Sequence, residues 1–103
     1  MKIPKTINIF SDKYRIIIEP DYFKNEDNPG VELCGDCNFN DKIIRIKKSD
    51  ETIMLKTLMH EIIHAICFEL NLYDNEHNEN FIDRLSVSLI DTMLRNKFLK
   101  GEK

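Results

Sequence analysis

The chain has no long apolar segment and no excess of positive charge, and each shortage disfavours a class of protein. No apolar run approaches the roughly 20 residues of a membrane-spanning helix, and the first residues lack the apolar stretch of a secretory signal. We therefore expect a cytoplasmic protein without a membrane partner. Lys and Arg number 15 against 18 Asp and Glu, for a formal net charge of −3, so nucleic acid is not an expected partner.

Cysteine is also scarce, with only Cys34, Cys37 and Cys67. An odd number fits a reducing compartment better than a disulfide framework. Cys34 and Cys37 have C-x-x-C spacing, but a structural zinc would need a second pair of ligands, and a redox motif would open a helix after a strand. Gly35-Asp36 instead indicates a bend between strands, so we interpret both residues as strand-end cysteines.

The 103 residues are enough for one domain, spanning 1–103, with a modest core. Short β-rich runs occupy the first half, and residues 11–13 have the spacing of a hairpin turn between the first two. A loop is expected over 20–30, with one helical turn at its start as an option. The predicted strands cover 6–10, 14–19, 31–34 and 42–47.

Two helices follow, because apolar residues recur at spacings of three and four. The first is predicted over 50–70, with its core stripe at Leu55, Leu58, Met59, Ile62, Ile63, Ile66 and Leu70. The second is predicted from 76–79 to about 98, with its stripe at Phe81, Ile82, Leu85, Leu89, Met93 and Leu94. The fold class is therefore α+β, a small antiparallel N-terminal sheet followed by two long antiparallel helices.

The first helix contains His60, Glu61 and His64 in the pattern H-E-x-x-H. Residues four apart lie on one face of a helix, so the two imidazoles can bind one ion. Glu61 is rotated by about 100° from His60, which places its carboxylate where it can reach a water on that ion. The pattern predicts a Zn²⁺ site with Glu61 as general base. The alternative is an ordinary amphipathic helix with two polar-face histidines.

A catalytic zinc site needs a third protein ligand. The metzincin pattern would require glycine and histidine where the chain has Cys67 and Leu70, so that class is excluded. A carboxylate from the next helix is the other common solution. Glu79 is favoured from its place in the first turns of that helix; Asp83, His77 and Glu76 stay open, and Asp83 could instead orient a histidine.

Two stretches resemble the small zincins of the ImmA/IrrE type and the short phage or mobile-element proteins related to them. The first is the H-E-x-x-H-A motif at residues 60–65, and the second, at 79–86, looks like a degenerate form of E-x-x-A-N-x-F-A. The resemblance implies a minimal zincin-like fold with Glu79 as third ligand. Peptidases of this family cut regulatory proteins, often repressors, so a protein or peptide substrate is implied.

The sequence thus predicts a zinc metallopeptidase in which His60, His64 and Glu79 bind Zn²⁺ and Glu61 moves the proton. Tyr73 and His77 are candidate oxyanion donors. We expect the substrate to lie along the sheet edge formed by residues 42–47. The alternative function is a regulatory or binding module whose metal is purely structural, for which a general base at Glu61 would have no use.

Overall fold

Six strands precede two helices in the part of the chain that the structure, a computed structural model, describes: residues 3–20, 23–24, 32–70 and 79–96. This order confirms the α+β class. The elements are β1 (Thr6–Ile9), β2 (Asp12–Glu19), β3 (Phe23–Lys24), β4 (Glu32–Leu33), β5 (Gly35–Asn38), β6 (Ile43–Lys47), α1 (Glu51–Glu69) and α2 (Glu79–Arg95).

The main sheet is mixed, with strand order β1-β2-β6-β5. β1 pairs with β2 and β5 with β6 in antiparallel fashion, whereas β2 and β6 run parallel. The expectation of a wholly antiparallel sheet is therefore corrected at this one pair. The chain between β2 and β6 is long enough to return to the starting end of β2, which a parallel pair requires. β3 and β4 form a separate antiparallel pair.

The β1–β2 hairpin is tighter than predicted. Ile9 pairs with Asp12, so Phe10 and Ser11 form the turn and β2 begins two residues earlier than expected. Phe10 adopts a positive φ of 56°, as two-residue hairpin turns demand. The loop expected over 20–30 includes the short strand β3; residues 21–22 and 25–30 lie outside the described part of the chain.

Residues 35–38, where a bend was expected, form the edge strand β5. Gly35 pairs with the buried Ile46 and so lies on the sheet face that α1 covers. A Cβ at Gly35 would be 2.7 Å from Cγ2 of Thr57 and 2.8 Å from the carbonyl oxygen of Arg45. Glycine is what allows the strand to come this close to α1. Because β5 takes the edge, residues 42–47 do not form it, and β6 lies inside the sheet.

α1 packs across one face of this sheet. Tyr14, Ile44 and Ile46 are fully buried beneath it, and Leu58 and Ala65 of α1 belong to the same cluster. Ala65, which the predicted stripe leaves out, is fully buried in this cluster. Leu70, predicted for the core, is 51% exposed.

α2 packs on α1 and buries Ile82, Ser86 and Ile90. Phe81, predicted as core, is instead 60% exposed. Glu79, at the start of α2, contacts His64 late in α1, and Asp83 contacts the earlier His60, an order consistent with the expected antiparallel pair. The predicted extension to residues 76 and 98 falls outside the described residues. Neither described helix has the length and apolar content needed to cross a membrane.

Candidate metal centre

The two histidines of α1 bring their ring nitrogens to one point. His60 and His64 are one helical turn apart, and their Nε2 atoms are 3.2 Å from each other. The rings are inclined at 54°, so they converge rather than stack. Both side chains are only partly exposed, which limits competition from water for the same nitrogens. Two imidazoles are thereby available to a single ion.

The carboxylate of Glu79 completes the group from α2. Its Oε1 atom is 3.0 Å from Nε2 of His60, and its Oε2 atom is 2.8 Å from Nε2 of His64. One potential ligand atom from each of the three residues lies within 4.8 Å of the other two. The group joins the C-terminal half of α1 to the first turn of α2.

This donor set fits zinc. Two ligands at about 2.0–2.1 Å from a tetrahedral ion are about 3.3 Å apart, close to the observed separation of 3.2 Å between the histidine nitrogens. Two imidazole nitrogens and one carboxylate are also the ligands of one class of catalytic zinc site, which keeps a fourth position open. We name His60, His64 and Glu79 the metal-ligand cluster.

Asp83 lies on the other side of the His60 ring. Its Oδ1 atom is 3.6 Å from Nδ1 of His60, whereas the Glu79 carboxylate contacts Nε2. Glu79 and Asp83 are one turn apart on α2 and so reach the two nitrogens of one imidazole. The geometry favours Glu79 as ligand and Asp83 as the carboxylate that orients the ring. The other candidates, Glu76 and His77, and the proposed oxyanion donors, Tyr73 and His77, lie outside the described residues.

Glu61 is a buried carboxyl group beside this cluster. It is 8% exposed, and no residue in the described part of the chain forms a hydrogen bond or ion pair with it. Burial, together with the negative charges of Glu79 and Asp36, raises the pKa of Glu61 to about 8. A buried carboxyl group without a partner is costly for folding alone, and a strongly perturbed pKa in a cleft is typical of functional sites.

The edge strand β5 forms the other wall of the site. A cavity of about 440 Å³ lies between β5 and the metal-ligand cluster. Gly35 and Cys37 point toward α1, whereas Asp36 points to the other face, where Arg45 of β6 donates hydrogen bonds to both of its carboxylate oxygens. The lining residues are Gly35, Asp36, Cys37, Phe39, His60, Glu61, His64 and Glu79.

Sequence reasoning missed β5 as part of the site. The signal was present, since Asp36 and Arg45 are opposite charges that become cross-strand neighbours, a pairing that stabilises sheets. The pair can be recognised only if residues 35–38 are predicted to form a strand. Gly35 and Asp36 instead indicated a bend at this place.

The C-x-x-C cysteines belong to the edge of the main sheet. Cys34 precedes β5 and is exposed, Cys37 lies within the strand, and both are free. Burial raises the pKa of the Cys37 thiol to about 12, with further contributions from the charges of Glu61 and Asp36. The reactive form of cysteine is the thiolate, which this environment suppresses at neutral pH. Cys34 therefore lies at a strand end, as expected, whereas Cys37 lies inside β5 rather than at its end.

Comparison with protein-family models, with curated proteins and with solved structures gives no match for this chain. The chemistry of the site therefore has to be deduced from its own side chains, which are two converging imidazoles, a carboxylate shared between them and a buried carboxyl group beside a cavity.

Proposed function

We propose that the chain is a zinc-dependent peptidase that hydrolyses a peptide bond in a protein substrate. The observation that carries the proposal is the convergence of His60, His64 and Glu79 next to the buried carboxyl group of Glu61, which has no partner among the described residues. A Zn²⁺ ion held there would supply the Lewis acidity that activates water and polarises a peptide carbonyl. The resemblance to small ImmA/IrrE-type zincins favours a regulatory protein as substrate.

Glu61 moves the proton in this reaction. Its carboxylate accepts a proton from the attacking water and delivers it to the nitrogen of the leaving amine. The base must be ionised to do so, although its pKa is raised to about 8 in the protein alone. A neighbouring cation favours the ionised form, so loading the centre makes the base available. The Asp83 carboxylate, 3.6 Å from the other nitrogen of His60, would orient that ring.

The substrate would lie along β5. This strand ends the four-stranded sheet, and its residues line the cavity on the side facing Glu61. An extended peptide added at this edge gains main-chain hydrogen bonds without needing a particular sequence. This position replaces the one predicted for residues 42–47, which the structure places inside the sheet.

A structural metal is the second candidate function. Within the described part of the chain, α2 buries only Ile82, Ser86 and Ile90, so an ion shared between α1 and α2 would stabilise a thin interface. The chain would then be a binding module without turnover. The burial of Glu61 is the observation that this candidate leaves unexplained, because a purely structural site needs no additional carboxyl group.

The test combines metal content with the appearance of new chain termini. We expect the purified protein to bind about one zinc per chain, and Cys37→Ser to leave that number unchanged. The zinc-loaded protein is incubated with a proteome-derived peptide library, and new amino termini are identified by mass spectrometry. We expect termini that disappear after chelation and return with zinc. One zinc per chain without new termini would favour the structural metal, and no zinc binding would contradict both candidates.

A further inference from the structure

The helix face that carries the metal ligands continues beyond them toward the start of α1. Lys56 and Thr57 lie one turn before His60 and Glu61, and Ile53 lies about one turn earlier still. On α2, Val87 follows Asp83 by one turn, just as Asp83 follows Glu79. Two helix faces therefore extend away from the metal-ligand cluster in the same direction.

Between these faces lies a cavity of about 310 Å³, which we call the α1–α2 cleft. It shares His60, Glu61 and Glu79 with the candidate metal centre, so the two spaces adjoin at the metal-ligand cluster. Ile53 and Val87 contribute apolar walls and are 46% and 37% exposed. At about 30 Å³ for each water, the cleft has room for a whole side chain.

The charges in the cleft do not select strongly for either sign. Two of its carboxyl groups, Glu61 and Glu79, belong to the candidate metal centre, where a bound cation would offset their charge. Beyond the centre, Lys56 and Asp83 line the cleft, and their opposite charges offset each other for a ligand bound between them. In the part of the chain that the structure describes, no carboxylate forms an ion pair with Lys56. Contact with Ile53, Val87 and the methyl group of Thr57 is then the main means by which the cleft can discriminate between ligands.

We propose that the α1–α2 cleft is a specificity pocket that binds an aliphatic side chain of the substrate, on one side of the bond to be cleaved. The proposal rests on the proposed function, since it places this side chain relative to the metal-ligand cluster. Continuity with the cluster identifies the occupant, because a peptide crossing the cluster must extend into one of the spaces beside it. Substrates with a medium-sized aliphatic residue at this position are preferred.

Small hydroxamates test the pocket without requiring turnover, because the hydroxamate group chelates zinc. Three probes are compared on the zinc-loaded protein by calorimetry: acetohydroxamate, 4-methylpentanohydroxamate and the monohydroxamate of succinic acid. Burying the branched chain should make the second probe bind roughly 10- to 100-fold more tightly than the first. The third probe has a carboxylate in place of the apolar end of the chain, so its affinity should exceed that of acetohydroxamate by less.

Two variants locate the gain. Val87→Phe fills the cleft, and Ile53→Ala removes one wall, so each should reduce the affinity ratio between the branched probe and acetohydroxamate. Ile18→Ala is the matched control for Ile53→Ala, because Ile18 is a comparably exposed isoleucine on β2. The affinity ratio of the two probes for Ile18→Ala should equal that of the wild type. Either cleft variant suffices if the other fails to fold.

The outcomes separate the pocket from the proposed function. Equal affinity for the first two probes, or a gain that survives both cleft variants, would overturn the pocket while leaving the metal centre intact. Tighter binding of the succinic acid probe than of the branched probe would also overturn it, and would assign ligand recognition to Lys56. A protein that binds no zinc would overturn both the pocket and the peptidase.

Discussion

Two polar clusters lie along α1, one around His60 and His64 and the other at the end of the helix, and they differ in the surroundings of their carboxyl groups. Near the end of the helix, Glu69 accepts hydrogen bonds from the hydroxyl of Tyr14 at 2.9 Å and from Nζ of Lys42 at 2.8 Å. Lys42 is also 3.4 Å from Asp12. We call Asp12, Tyr14, Lys42 and Glu69 the clamp cluster, because it ties β2, the start of β6 and the end of α1 together.

The clamp cluster also has apolar support. The Nζ atom of Lys42 lies 5.3 Å from the centroid of the Tyr14 ring and 5.4 Å from that of Phe68, distances at which a cation is attracted to an aromatic face. Phe68 stacks on Phe39 with 4.5 Å between centroids. Every polar group in this cluster therefore has a partner within the protein.

The surroundings of the metal-ligand cluster are different. Its three ligand atoms converge on one point, and the nearby carboxyl group of Glu61 has no hydrogen-bonding partner among the described residues. The pKa of Glu69 is lowered by hydrogen bonds from Lys42 and Tyr14, whereas the pKa of Glu61 is raised by burial. The comparison shows that two carboxyl groups on one helix lie in opposite environments, one ionised by its hydrogen-bond donors and the other buried and biased toward its neutral form.

The sharpest test of this difference replaces each carboxyl group with an amide. Glu61→Gln keeps the shape but removes the base, so we expect cleavage to fall by roughly 10²- to 10⁴-fold while zinc content stays at the wild-type level. Glu69→Gln should lower the melting temperature, because it removes the charge that Lys42 and Tyr14 bind, and should leave cleavage unchanged. Cleavage rates, zinc content and thermal unfolding are measured for both variants.

The pair of variants can contradict the assignment in two ways. Loss of zinc in Glu61→Gln would show that Glu61 helps to hold the ion or the fold. Full cleavage by Glu61→Gln would show that another group is the base. Similar behaviour of the two variants in all three measurements would remove the distinction between the clusters.

A smaller difference, in zinc affinity, is expected between variants of Glu79 and Asp83, the two carboxylates of α2 that reach His60. Glu79→Ala removes one of three ligands and should weaken zinc binding by more than about 100-fold, whereas Asp83→Ala removes only the support of a ligand and should weaken it by about 10- to 100-fold. Zinc affinity is measured by competition with a chelator of known strength. Asp91→Ala is a control, since Asp91 is an exposed α2 carboxylate that pairs with Arg95. A larger loss in Asp83→Ala would exchange the two roles.

Much of the candidate site could be predicted because it is encoded locally. The H-E-x-x-H spacing fixes His60, Glu61 and His64 on neighbouring positions of one helix, and the apolar periodicity places that helix within a residue of its observed ends. Glu79 was favoured because it begins the following helix. Each of these inferences needs only the geometry of a helix and of its nearest neighbour in sequence.

The rest depended on contacts between distant residues. The residue pattern of β6 identifies it as a strand. No feature of the neighbouring sequence indicates that β6 lies between β2 and β5 or runs parallel to β2. The close approach of Gly35 to Thr57 is likewise a tertiary contact. The burial of Glu61 follows from it, because β5 covers that side of α1. The apolar periodicity of α1 could not reveal the burial of Glu61, because the neighbouring Ile62 and Ile63 indicated that a different face of the helix packs on the core.

A third predicted effect concerns the pH dependence of stability in the metal-free protein, where Glu61 and Glu69 of α1 act in opposite directions. The pKa of Glu61 rises from 4.5 in the unfolded chain to about 8 in the fold, so between these values the folded state binds more protons. Stability from this group is complete below about pH 4.5 and is lost as the pH rises toward 8. At about 1.4 kcal/mol for each pKa unit, the loss is on the order of a few kcal/mol.

Glu69 has the opposite sign. Its folded pKa is lowered, so its contribution to stability is present above the unfolded pKa and is lost as the pH falls through the folded value.

Denaturant unfolding of the chelator-treated protein from pH 4 to 9 should show stability falling on the alkaline side. Glu61→Gln should remove that alkaline fall, and Glu69→Gln should leave it in place. Zinc should also reduce it in the wild type, because a cation beside Glu61 favours the ionised carboxylate in the folded state. An alkaline fall that persists in Glu61→Gln would mean that another group causes it, and that Glu61 is not the uncompensated carboxyl group that distinguishes this part of α1 from the clamp cluster.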